Sequence, residues 1–210
     1  MSLIGYVLDR VVHGEKYWRV TLITREFGVR ACLVRISLGA KNKQICVPDL
    51  FDEVEIVLPS SKAGLASDLV VAKEYRVLQK SKGISRDYDV LIYASQWTYV
   101  LAKNQFSADF AGTLYELAVK VLNVFSEKPL PAATYFKGLW MLVKMAGYPI
   151  KEDWFENLAY DEREAATQLL TTPLESLQMD GRMLKHIVSR LERWLTYTHQ
   201  FRFNDGAGTE

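Results

Sequence analysis

The chain has 210 residues, of which 49% are apolar, so it can bury the core of one large domain or two small ones and is too apolar to be intrinsically disordered. Its 26 basic and 25 acidic residues leave a net charge of +1, so no global field draws it to a polyanion, and any charged binding surface must be local. Cys32 and Cys46 lie in apolar, strand-like runs where a free thiol acts as a small hydrophobe, so no disulfide is expected.

The opening "MSLIGYVLDR" has no basic region followed by a long apolar run and does not read as a signal peptide. No apolar stretch approaches the roughly 20 residues that cross a bilayer, and the expectation is a soluble cytoplasmic protein. "LIGYVLDRVV" is the first strand. "YWRVTLITRE" and "VRACLVRIS" alternate with a period of two around the Gly-bearing turn "EFG", the pattern of a hairpin. After the polar loop "LGAKNK", "FDEVEIVLPSS" and "LVVAKEYRVL" supply further strands. With no helical segment between these five strands, a small barrel or sandwich fits better than a βαβ sheet.

From about residue 85 the period becomes helical. "DYDVLIYASQWTYVLAKNQ" carries Val90, Tyr93, Trp97, Val100 and Leu101 on one face, and "ADFAGTLYELAVKVLNVFSE" carries Phe110, Leu114, Leu117, Val121 and Val124. A third helix starts near Pro131 and stops at Gly147 and Pro149, and "DEREAATQLLTT" begins a fourth with acidic residues in its first turn. Asp180 caps a last helix with Leu184, Ile187, Val188, Leu191 and Leu195 as its core face. The predicted organisation is α+β, a β-domain over 1–80 and an all-α domain over 81–210, with "KSKGISR" as the joint.

Motifs for catalysis are missing from the chain: there is no CxxC, HExxH, GxSxG, phosphate-binding glycine loop or GxGxxG. His13, His186 and His199 are too scattered for a metal motif, and the acidic pairs at 52–53 and 161–162 read as solvated or helix-capping groups. The expectation is a protein that is not an enzyme and needs no cofactor.

The basic hairpin has two readings. Lys16, Arg19, Arg25, Arg30 and Arg35, with Arg10 upstream and Lys41 and Lys43 in the next loop, could track phosphates while a ring stacks on a base. Alternating charge also keeps the outer face of a sheet soluble. Trp18 shares its face with Val20 and Leu22 and reads as core, whereas Tyr17 alternates onto the face of Arg19.

In order along the chain stand Gly5-Tyr6-Val7-Leu8, His13-Gly14-Glu15, Thr24-Arg25-Glu26-Phe27-Gly28, Gly39-Ala40-Lys41, Pro48 and the run from Val70 to Leu78. "YFKGLWMLVKMAGYP" and "LKHIVSRLERWLTYTHQF" follow. This series resembles the bacterial recombination mediator family RecO over nearly the whole chain. The resemblance implies an N-terminal OB-fold barrel followed by a helical domain. It also implies binding of single- and double-stranded DNA, annealing of complementary strands, and loading of recombinase onto strands coated by single-strand binding protein. A RecR-like protein and the C-terminal tail of single-strand binding protein are the implied partners. Many members carry a four-cysteine zinc site where this chain has "IKEDWFENLAYDEREAA", so no metal is expected. The DNA face would comprise Lys16, Tyr17, Arg19, Arg25, Arg30, Arg35, Lys41 and Lys43. An acidic partner tail ending in an aromatic residue would find cations beside an apolar groove at Lys137 and Lys144 with Trp140 on the third helix, or along Arg182, Lys185, His186, Arg190 and Arg193 on the last. A protein-interaction adaptor and an RNA-binding OB protein remain as alternatives.

Overall fold

Two glycine turns organise the amino-terminal half in the computed structural model, which describes residues 1–35, 48–59, 69–127 and 130–204. Gly14 (φ 63°) lies between β1 (Ser2–His13) and β2 (Tyr17–Thr24), and Gly28 (φ 63°) opens β3 (Gly28–Arg35). Both hold the left-handed backbone that a Cβ disfavours. At the second turn the Thr24 hydroxyl accepts from the Phe27 amide at 3.2 Å and donates to the Gly28 carbonyl at 3.0 Å, which fixes the reversal.

With β4 (Glu53–Val57), β5 (Val70–Val71) and β6 (Glu74–Gln79), these strands form a curled six-stranded sheet of order β5-β3-β2-β1-β4-β6. Among the described strands only the β3–β5 pair is parallel, so the sheet is mixed. Its concave side carries Leu3, Val7, Val20, Leu22, Cys32, Val34, Val54, Ile56 and Leu58, with Trp18 packed against them. The pairing jumps from Val7 opposite Leu22 to Asp9 opposite Thr21, which leaves Leu8 as a bulged residue. A bulge inverts the alternation beyond it. Arg10 and Val12 therefore share the core side with Val20 and Trp18, and Val11 and His13 turn outward with Arg19 and Tyr17.

The chain forms two units, Met1–Lys82 with Phe106–Glu116, and Gly83–Gln105 with Leu117–Glu210. The break falls inside "KSKGISR", but residues 106–116, read from sequence as helical-domain residues, pack with the sheet. Tyr115 faces Tyr6 at 6.2 Å, and the Ala111 Cβ lies 3.5 Å from where a Cβ on Gly28 would sit.

The helical unit holds α1 (Tyr88–Lys103), the later part of α2 (Ala111–Glu127), α3 (Pro131–Met145), α4 (Tyr160–Thr171) and α5 (Gly181–His199). Their ends follow the chemistry of the sequence. Asp87 accepts from the Val90 amide at 3.0 Å, Asp180 accepts from the Arg182 and Met183 amides, and Pro131 opens α3. Trp97, Tyr135, Phe136, Leu139, Ile187 and Leu191 are fully buried. On α2 the core face runs through Leu114, Ala118, Val121, Leu122 and Phe125, so Phe125 rather than the expected Val124 is buried at the end of the helix. Among the described residues no helix is long and apolar enough to cross a membrane.

Candidate nucleic-acid interface

The register of the hairpin decides which cations share a surface. On the outer face Tyr17 stands opposite His13 and Arg35, and Arg19 stands opposite Val11 and Leu33. Diagonal neighbours across a strand pair lie roughly 7–8 Å apart, which brings Arg19 and Arg35 within reach of one anion. Lys16 is exposed in the adjoining turn. Among the described residues Lys16, Arg19 and Arg35 have no ion-pair partner. The Tyr17 ring is half-buried beside them.

Arg30 and Arg25 do not join this patch. Arg30 is opposite Leu22, on the core side, and is exposed at the start of its strand. Arg25 lies in the turn at the other end of β2, paired with Glu116 at 3.2 Å and 5.6 Å over the Tyr115 ring. Seven strand residues separate that turn from Tyr17, a run of roughly 25 Å. Lys41 and Lys43 lie outside the described residues, as does Cys46. Arg10 sits 4.7 Å over the Trp18 ring while donating to the Pro48 carbonyl at 2.8 Å, so one face of that indole is covered and the ring belongs to the core edge.

His13, Val11 and Leu33 belong to the outer patch and escaped the sequence reading. The three-residue "GEK" connection contained the signal, because its length fixes which residues of β1 and β2 face each other.

The acidic pair at 52–53 differs from its expected solvated role. Asp52 is 1% exposed. Its carboxylate accepts from the Asp49 and Ser81 amides, both at 2.9 Å, and from Lys80 Nζ at 2.7 Å, tying the start of β4 to the chain after β6. Glu162 does cap α4, accepting from the Ala159 amide at 3.1 Å, and also meets His186 at 2.7 Å and Arg190 Nε at 3.2 Å. These contacts, the His186 hydrogen bond foremost, hold its carboxyl below the usual range. Burial pushes the Cys32 thiol up to about 11, which leaves it a poor nucleophile at neutral pH. Among the described residues no group of three His, Cys, Asp or Glu side chains is placed to hold a metal ion.

The partner-binding candidates of the helical unit fall on two helices. Lys137 donates to the Thr172 carbonyl at 2.6 Å, and burial lowers its pKa. Trp140 packs against Phe136, Trp154 and Phe155 with centroids 6.0–6.4 Å apart, and Lys144 is exposed on the following turn. Lys185 and Arg193 are both exposed on α5, eight residues and roughly 12 Å apart along its axis.

No family model matches the chain, and no curated protein matches it. Its family is therefore argued from its own residues and their geometry.

Proposed function

We propose that the chain is a non-enzymatic, DNA-binding mediator of recombinational repair similar to RecO, acting in the cytoplasm. It would anneal complementary strands and help load recombinase onto strands coated by single-strand binding protein, with the tail of that protein and a RecR-like protein as partners. In this reading the curled sheet is an OB-fold barrel.

One observation carries the proposal: Lys16, Arg19 and Arg35 form an exposed cationic cluster with no counter-ion among the described residues, beside the ring of Tyr17. Like charges held together without partners repel, and a phosphate between them relieves that repulsion, while a ring beside the phosphates gives a base a surface to stack on. The ordered motifs of the sequence supply the choice of family. Val11, 51% exposed opposite Arg19, is what favours a protein partner on the same face, the adaptor reading.

The test is the anisotropy of a fluorescent single-stranded oligonucleotide followed across a series of salt concentrations. The affinity of the wild-type chain should fall linearly on a log–log plot. Arg19→Ala with Arg35→Ala should flatten the slope by about 1.4, since each lost phosphate contact on a single strand is worth about 0.7. Arg25→Ala, which removes a cation already paired with Glu116, should change the slope far less. An unchanged slope in the double variant discards this face. Competition with a matched RNA separates DNA from RNA binding, because the 2′-hydroxyl is what distinguishes them.

A further inference from the structure

The helical unit contains a cavity of about 260 Å³ between the π-helical turn Lys151–Phe155 and α5. Asp153, Trp154 and Asn157 line one side, and Arg190, Arg193, Trp194 and Tyr197 line the other. The last four stand at i, i+3, i+4 and i+7, one continuous face of the helix.

Three polar groups stand at or behind the wall of this cavity. Trp154 is 4% exposed, yet its indole Nε1, buried in the wall, has no hydrogen-bond partner among the described residues. An unmet buried donor is unfavourable, and this one is sealed behind the wall, so it marks a local cost of packing the indole there. The Arg190 Nε is likewise buried without an aligned hydrogen bond, although its guanidinium rests against Glu162. Arg193 is exposed and makes only a 3.5 Å contact with the Ser189 hydroxyl. Asn157 spends its amide hydrogens on the Glu152 and Asp153 carbonyls, which leaves its oxygen and the Asp153 carboxylate as acceptors.

We propose that this cavity binds a single nucleotide, its base against Trp194 and Tyr197 and its phosphate on Arg193, beside the Arg190–Glu162 pair. The inference goes beyond the hairpin face and does not depend on it. A nucleobase brings a flat ring and amino or imino donors for Asp153 and Asn157, and its phosphate brings an anion for Arg193, with Arg190, already paired with Glu162, adding positive potential beside it. An acidic peptide offers the anion but brings no side-chain donor for the Asp153 carboxylate, which the amino or imino groups of a base supply. The volume lies below the roughly 300–1,000 Å³ of pockets for drug-sized ligands, which suits one nucleotide rather than a run of them.

The experiment uses the full chain and its intrinsic fluorescence, since two of its five tryptophans line the cavity. Deoxyadenosine and deoxycytidine monophosphates are titrated, with inorganic phosphate and N-acetylphenylalanine as comparison probes. Saturable quenching by a nucleotide is expected, weakened about tenfold by Arg193→Ala, the loss of one charge-assisted contact. Tyr197→Ala, at an 81% exposed position, gives a second variant whose folding is not at stake, and it should weaken binding as well. Arg19→Ala with Arg35→Ala should leave the titration unchanged, which keeps a failure of the hairpin face separate from a failure here. The proposal is overturned by no saturable response at millimolar nucleotide, by phosphate alone giving the same response, or by N-acetylphenylalanine binding as tightly. Nucleotide binding indifferent to both Arg193→Ala and Tyr197→Ala overturns it too.

Discussion

The sheet unit and the helical unit each draw a carboxylate out of water and each bring glycines to close approaches, and they meet these demands in different ways. In the sheet, Asp52 is surrounded by two amides and an ammonium, donors held by the backbone and by the far side of the strand layer. In the bundle, half-buried Glu192 accepts a single hydroxyl hydrogen bond, from Tyr135 at 2.7 Å. Burial outweighs that bond and raises the Glu192 carboxyl above its ordinary range. The glycines differ in the same sense. A Cβ on Gly5 would collide with the backbone carbonyl of Ile23 on the paired strand, whereas one on Gly138 would meet only side chains, Val121 at 3.2 Å and Trp97 at 3.3 Å. A sheet confronts its close approaches with backbone that is already hydrogen-bonded and cannot give. In the bundle the approach at Gly138 is to side chains that can give, and the one at Gly83 is to the Ser126 backbone carbonyl oxygen at 2.7 Å.

The sharpest way to break this comparison is Asp52→Ala. It leaves two amides and Lys80 without their acceptor and should destabilise the sheet unit by about 3–4 kcal/mol, read as a lower urea midpoint. Gly5→Ala should cost about 3 kcal/mol, because the strand must move as a whole to relieve the clash. Gly138→Ala should stay within about 1 kcal/mol of wild type, since helix propensity gains roughly what the crowding loses. Equal losses for the two glycine variants would show that the bundle is as unyielding as the sheet.

Glu192→Gln should give the smallest effect, and of opposite sign. Because the folded-state pKa of Glu192 is raised, its contribution is fully present below the unfolded pKa and is lost as pH rises through the folded value. The amide should therefore raise the thermal midpoint at neutral pH and lose that advantage in acid. Glu162, with a lowered pKa, runs the other way, and its contribution is lost as pH falls through its folded value. A Glu192→Gln midpoint that differs from wild type equally at all pH values would remove the carboxylate as the cause.

Much of the fold was legible from local pattern. The alternation in "YWRVTLIT", the glycine turns, the Asp87 and Asp180 caps and the core stripe of α5 all reflect interactions within a few residues, which a sequence displays directly. The assembly of the candidate face was legible only in part. Tyr17 and Arg19 alternate together by simple period. The arrival of Arg35 beside them and of Arg25 against Glu116 depends on register and on a distant helix. The bulge at Leu8 was not legible, because an extra residue in a strand looks like any other until its partner is known. Asp52 was misread for the same reason: its donors come from Asp49, Lys80 and Ser81, the last two more than 25 residues away.

By itself the sequence determined the α+β division, the strand and helix positions and the supply of cations at the hairpin, since these rest on period, capping and composition. Only the tertiary structure decided which charges stand alone and which are neutralised, and which polar groups are left wanting a partner, as Trp154 is. Those outcomes follow from contacts between residues far apart in the chain, and the energy of a charge or a buried N–H is set by what finally surrounds it.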